Sequence, residues 1–145
     1  MNKAISFRAA IADAVPALQA DPDKLLVFVD TGKIIATAAP SLSFQYSYTL
    51  NVIVTDFAGD ADELFVALIA WVQLNQPDLV MNDDTRKNGI AFEVDHLTQT
   101  TCDVSIKLQL TESVIVKTDD AGTRTITHVD EPVYEWNVDG LTWTN

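Results

Sequence analysis

Phe44-Gln45-Tyr46-Ser47-Tyr48-Thr49-Leu50-Asn51-Val52-Ile53-Val54 alternates residue by residue between apolar and polar. Phe44, Tyr46, Tyr48, Leu50, Val52 and Val54 share one face; Gln45, Ser47, Thr49, Asn51 and Thr55 share the other, which only Ile53 breaks. Successive side chains of a strand point to opposite faces, so this is a long strand covered on one side. Cys102, Val104, Ile106, Leu108 and Leu110 against Asp103, Ser105, Lys107, Gln109 and Thr111 repeat the pattern. Strands of this kind belong to an antiparallel sheet with helices on one face. The expected fold is α+β, mainly antiparallel sheet with two helices packed on one face. The second face is left either wet or in contact with another subunit.

The helices are read from 3-and-4 spacing. Ser6 is placed as the N-cap of a first helix carrying Phe7, Ala10, Ile11, Ala14 and Val15, which Pro16 ends or kinks. Asp60, with Glu63 three positions on, opens a second helix that runs to about Asn75, with Leu64, Leu68, Trp71 and Val72 inward and Pro77 as its stop. Between them, Leu25 to Val29, a Thr31-Gly32 turn and Lys33 to Thr37 read as a hairpin. Phe92 and Val94 mark a further strand. Val114 to Lys117, the turn Asp119-Asp120-Ala121-Gly122 and Arg124 to His128 make the last hairpin of the main body.

The expected organisation is one α+β domain over 1–129, then a linker and C-terminal hairpin over 130–145. In that tail Asp139-Gly140 is the turn, with Val138 opposite Leu141 and Trp136 opposite Trp143. A cross-strand aromatic pair contributes only ~0.2–1 kcal/mol, too little to hold an isolated hairpin, so the tail is expected to dock on its own domain or on a neighbour.

Composition excludes several functions. With 21 Asp+Glu against 9 Lys+Arg the chain carries a net charge of -12 over its 145 residues, the wrong sign for gripping a nucleic-acid backbone. Such a surface suits solubility, a basic partner, or a passage through which a polyanion slides. One cysteine, Cys102, permits no internal disulfide and points to a reducing compartment. Met1-Asn2-Lys3-Ala4 opens no apolar signal segment, and the longest apolar run, Leu64 to Val72, falls well short of a bilayer span, so no membrane role is expected.

Chemistry is hard to place. No phosphate-binding glycine loop or nucleophile elbow occurs among the five glycines. His96 and Cys102 are the one conceivable nucleophile pair, but Cys102 shares the parity of Val104 and Ile106 and reads as a buried structural thiol. His96, His128 and Cys102 make no spaced metal set. Asp21-x-Asp23 and Asp60-x-Asp62 lack the remainder of a calcium loop. Asp83-Asp84 and Asp119-Asp120 read as solvated loop charge. The expectation is therefore no catalytic, cofactor or metal site. Arg86-Lys87, the only adjacent basic pair, is the candidate contact with the acidic face of a neighbouring copy, in a head-to-tail arrangement able to close into a ring. Arg86, Lys87, Trp136 and Trp143 are the candidate subunit interface.

Val27-Phe28-Val29-Asp30, Ser41-Leu42-Ser43-Phe44, Tyr48-Thr49-Leu50-Asn51 and Thr55-Asp56-Phe57-Ala58-Gly59-Asp60 resemble the phage tail completion protein R (GpR) family of contractile-tailed, P2-type phages. So do Ala70-Trp71, Gln76-Pro77, Phe92-Glu93-Val94-Asp95, Thr101-Cys102-Asp103 and Leu108-Gln109-Leu110-Thr111-Glu112, in matching order as far as about Val116. The resemblance implies a tail-terminator-like virion protein that completes the tail and permits head-tail joining. It further implies a homo-hexameric ring, contacts with the tail tube protein and a head-side connector or another completion protein, and DNA only as a passing polymer. The implied location is the tail end of the virion, reached from the host cytoplasm. The alternative is an acidic immunity-type inhibitor of a basic protein.

Overall fold

The computed structural model describes residues 1–36, 40–96 and 98–132. In chain order these form α1 (Asn2–Ala14), α2 (Pro16–Ala20), β1 (Leu25–Ala36), β2 (Phe44–Phe57), α3 (Ala61–Asn75), α4 (Asp78–Met81), α5 (Asp83–Arg86), β3 (Ile90–His96), β4 (Cys102–Thr118) and β5 (Arg124–His128). All strand pairs are antiparallel, in the order β1-β2-β4-β3. β5 joins β4 as well: β3 occupies Cys102 to Leu108 and β5 Val114 to Thr118 on the edge away from β2. The fold is α+β, as the alternation implies.

One face of the sheet is buried. Tyr46, Tyr48, Leu50, Val52 and Val54 of β2 and Val104, Ile106, Leu108, Leu110 and Val114 of β4 form the core with Phe7 and Ile11 of α1 and Leu64, Leu68, Trp71 and Val72 of α3. The two helices pack side by side. The Phe7 and Trp71 rings meet edge to face at 5.1 Å, an arrangement worth ~0.5–1.5 kcal/mol beyond area burial, and Trp71 Nε1 donates to Ser6 Oγ at 3.0 Å.

Three local readings are corrected. α1 begins at Asn2, four residues before Ser6, because the Asn2 N–H is taken by the Glu112 carboxylate of β4 at 2.8 Å. That cap comes from across the fold and relieves one of the unpaired amides of the first turn. Ser6 instead lies inside the helix as the acceptor for Trp71. Thr31-Gly32 is not a turn: β1 continues to Ala36 through a register shift between Val29 and Gly32, still pairing with β2. A Cβ on Gly32 would stand 3.1 Å from the Ser47 carbonyl, so the bulge uses the missing side chain for close approach. Asp83-Asp84, read above as loop charge, open the one-turn helix α5, with Asn82 Oδ1 accepting from Asp84 N.

α3 starts as the sequence implies, with Asp60 Oδ1 accepting from Asp62 N at 2.9 Å. The last hairpin, β4 into β5, also stands where expected.

Candidate assembly surfaces

Between β3 and β5 the edge of β4 lacks a strand partner, and side chains fill the gap. Gln76, the C-cap of α3 and 1 % exposed, accepts at Oε1 from the Thr111 backbone N–H (3.0 Å) and from Lys3 Nζ (2.7 Å). Its Nε2 donates to Asp78 Oδ1 (2.6 Å) and Thr111 Oγ1 (3.0 Å). One amide thus does the work of a strand residue and ties α1, α3, α4 and β4 together. Lys3 also pairs with Glu131 at 2.7 Å, which holds the 130–132 segment against the body.

Glu112 lies on the buried face of the same gap, 5 % exposed. Besides the Asn2 amide it accepts from the Tyr48 hydroxyl at 2.6 Å. His128 Nδ1 stands 3.0 Å from Glu112 Oε1 but off the line of an N–H donor, so the two do not form an aligned hydrogen bond. The environment acts on two tyrosines. Burial, then the charge and hydrogen bonding of Glu112, push Tyr46 up to about 12. Burial, then the hydrogen bond to Glu112 and its charge, drive Tyr48 higher still.

The sign of the linkage follows. A folded pKa raised above the unfolded value of ~10 contributes stability that is intact below pH ~10 and is lost as pH rises through the folded value. The unfolding free energy from urea titration should therefore fall from about pH 10 upward, by as much as ~1.4 kcal/mol per pH unit for each of the two tyrosines. Tyr48→Phe should make that decline shallower; an identical slope would refute the assignment.

Among the described residues, exposed apolar side chains lie on both sides of this body. On the open sheet face Leu26 and Phe28 of β1 are about half exposed (51 % and 48 %), with Ile53 beside Leu26 in register. Asn51, across from Phe28, is nearly covered, and its Nδ2 has no partner among the described residues. This face therefore leaves apolar area open at Leu26 and Phe28, while the Asn51 amide is covered. On the outer side of the helical layer Ile5, Val66 and Leu74 are exposed. The sequence signals were Ile53, which breaks a polar face, and the unbroken apolar run Leu25 to Val29, which places apolar residues on both sides of β1.

Of the four residues expected at an interface, Arg86 and Lys87 are exposed at the end of α5. Arg86 is ion-paired with Asp83 of its own helix, while Lys87 has no such pair among the described residues. Trp136 and Trp143 lie outside the described residues, as does the tail hairpin. The strand register sets His96 opposite Cys102, whose thiol is half-buried against the core. Among the described residues no three His, Cys, Asp or Glu side chains gather as metal ligands, and no helix is long and apolar enough to cross a membrane.

A body held by a buried polar hub, with apolar area left open on two faces, has the build of a structural subunit. The P2 phage tail completion protein R (GpR) family model matches residues 1–132, and the chain belongs to that family. It is 46 % identical over 132 residues to tail completion protein R of Escherichia phage P2, covering 91 % of this chain and 84 % of that protein. No solved structure matches it. Membership supports a structural role in tail completion, as a component of the virion tail. Several strings that carry the resemblance have structural reasons here. Gln76 closes the sheet edge. In Thr55 to Asp60, Asp56 takes a positive φ of 49° and a Cβ on Gly59 would press within 2.8 Å of the Phe57 ring.

Proposed function

We propose that this protein closes the end of a phage tail as a ring of like subunits, so that tube growth stops and a filled head can attach. Family membership supports the reading, and one structural observation carries it to assembly: Leu26, Phe28 and Ile53 lie on a sheet face that a self-sufficient domain would keep polar. A head-to-tail contact buries such a patch against a different surface of the next copy and closes when the rotation does. Six copies are expected by analogy with tail terminators. Lys87, free of the internal pair that holds Arg86, is the cation offered to the acidic surface of the neighbour. On one side the ring meets the tail tube protein, on the other a head-side connector or a second completion protein. A charge of -12 per subunit repels the phosphates of DNA passing through its lumen. Assembly takes place in the host cytoplasm, before the subunit becomes part of the virion.

The test is deletion of the gene from its phage, with the lysate imaged by negative-stain electron microscopy and complemented in trans. Filled heads beside unattached tails of abnormal length or incomplete ends are expected, with joined particles restored by the native gene. Lys87→Glu should restore far fewer than Arg86→Glu, whose position is already neutralised by Asp83. Normal joined, infectious particles from the deletion would overturn the proposal.

A further inference from the structure

The geometry points to the outer face of α1 and α3 as the seat of residues 133–145 of the same chain. Three observations converge on that face. The first is its apolar character: Ile5 is 72 % exposed, Val66 67 % and Leu74 54 %. α1 and α3 run antiparallel, since Lys3 bonds Gln76 and Ser6 bonds Trp71. These two contacts bracket Ile5 and Leu74 and bring them to the same end of the layer.

The second observation is the exit of the described chain. Val129 N–H bonds the Ser113 carbonyl, Glu131 is fixed on Lys3, and both Ser6 and Asn75 line the cavity beside them. Pro132 therefore delivers the chain on the helical side of the sheet, next to Ile5 and Leu74, and away from the open sheet face.

The third is reach. Thirteen residues follow Pro132. From Leu74 to Val66 is eight residues of α3, about 12 Å at 1.5 Å per residue. One five-residue arm of the expected hairpin spans about 17 Å. Its apolar set, Tyr134, Trp136, Val138, Leu141 and Trp143, falls on one face if Asp139-Gly140 turns, and a hairpin of that kind is stable only against a covering surface.

The apolar stripe ends at Val66, beyond which a cavity of about 430 Å³ is lined by Ala14, Pro16, Asp62, Glu63 and Val66. A covered helical face leaves the sheet face as the apolar surface for other subunits.

The experiment is acrylamide quenching of tryptophan fluorescence in the full chain. Of the three tryptophans, Trp71 is 5 % exposed in the core and reports that the fold is intact. In the native protein all three should be shielded. Val66→Asp with Leu74→Asp should open Trp136 and Trp143 to the quencher and leave Trp71 shielded; Leu26→Asp with Phe28→Asp, on the opposite face, should open neither. Two freely quenched tryptophans in the native protein would overturn the inference, as would opening by the sheet-face variant. Loss of shielding on dilution would overturn it too, in favour of the tail of a second copy. None of these outcomes depends on ring formation, so the result stands apart from that of particle imaging.

Discussion

Gln76→Leu should cost about 3–5 kcal/mol of folding stability, seen as a lower urea midpoint with an unchanged slope, because it strands several buried polar groups at once. The leucine keeps the volume of the side chain and removes all four of its hydrogen bonds. Thr111 loses the acceptor of its backbone N–H at the one stretch of the β4 edge without a neighbouring strand. Lys3, largely buried, is left with Glu131 alone. Gln76→Glu keeps the acceptors for Thr111 and Lys3 but sets a carboxylate against Asp78, which now receives the Gln76 Nε2 donor at 2.6 Å. Its smaller loss should shrink as pH falls into the carboxylate range, where a proton restores a donor between the two groups. A Gln76→Leu protein as stable as the native one would show that the gap does not need filling.

Glu112→Ala should be comparably severe, about 3–5 kcal/mol, for a different physical reason. The carboxylate caps a helix that has no side-chain cap of its own, where a negative charge also meets the positive end of the α1 dipole. It accepts the buried Tyr48 hydroxyl as well, which would be left without that partner. Glu112→Gln separates charge from shape. It should lose less, and its alkaline decline, which still begins near pH ~10 where the unfolded tyrosines ionise, should end at a lower pH and total less, because the charge that helps hold Tyr46 and Tyr48 protonated is gone. Equal stability of the alanine and native proteins by chemical denaturation would remove Glu112 from the hub.

Much of the scaffold could be read from the chain. β2 and β4 announce themselves by strict alternation, and α3 by Asp60 followed by an apolar run, because those signals are local and the tertiary structure agrees with them. What could not be read depends on groups distant in sequence. Asn2 opens a helix because residue 112 caps it. Thr31-Gly32 has the composition of a turn, and only the close approach of Ser47 across the sheet makes it a bulge. The hub left a trace that pattern reading passed over: Glu112 continues the buried parity of Leu108 and Leu110, where an acid is out of place unless something binds it. Gln76 next to Pro77 looks like an ordinary helix end, and nothing local shows that its amide serves a distant strand. Of the candidate interface, the sequence shows the adjacent basic pair Arg86-Lys87, while the Asp83 contact that ties down Arg86 alone appears only once α5 is formed.

The bonds of Asn2 to Glu112 and of Glu131 to Lys3 bring the first and last described turns of the chain to one point on the surface. An affinity tag or fluorescent protein fused ahead of residue 1 would emerge beside Glu131 and crowd the surface around Lys3. A label is better carried in the Asp119 to Gly122 turn, which is exposed, is closed by its own Asp119 hydrogen bonds and points off the far end of β4 and β5.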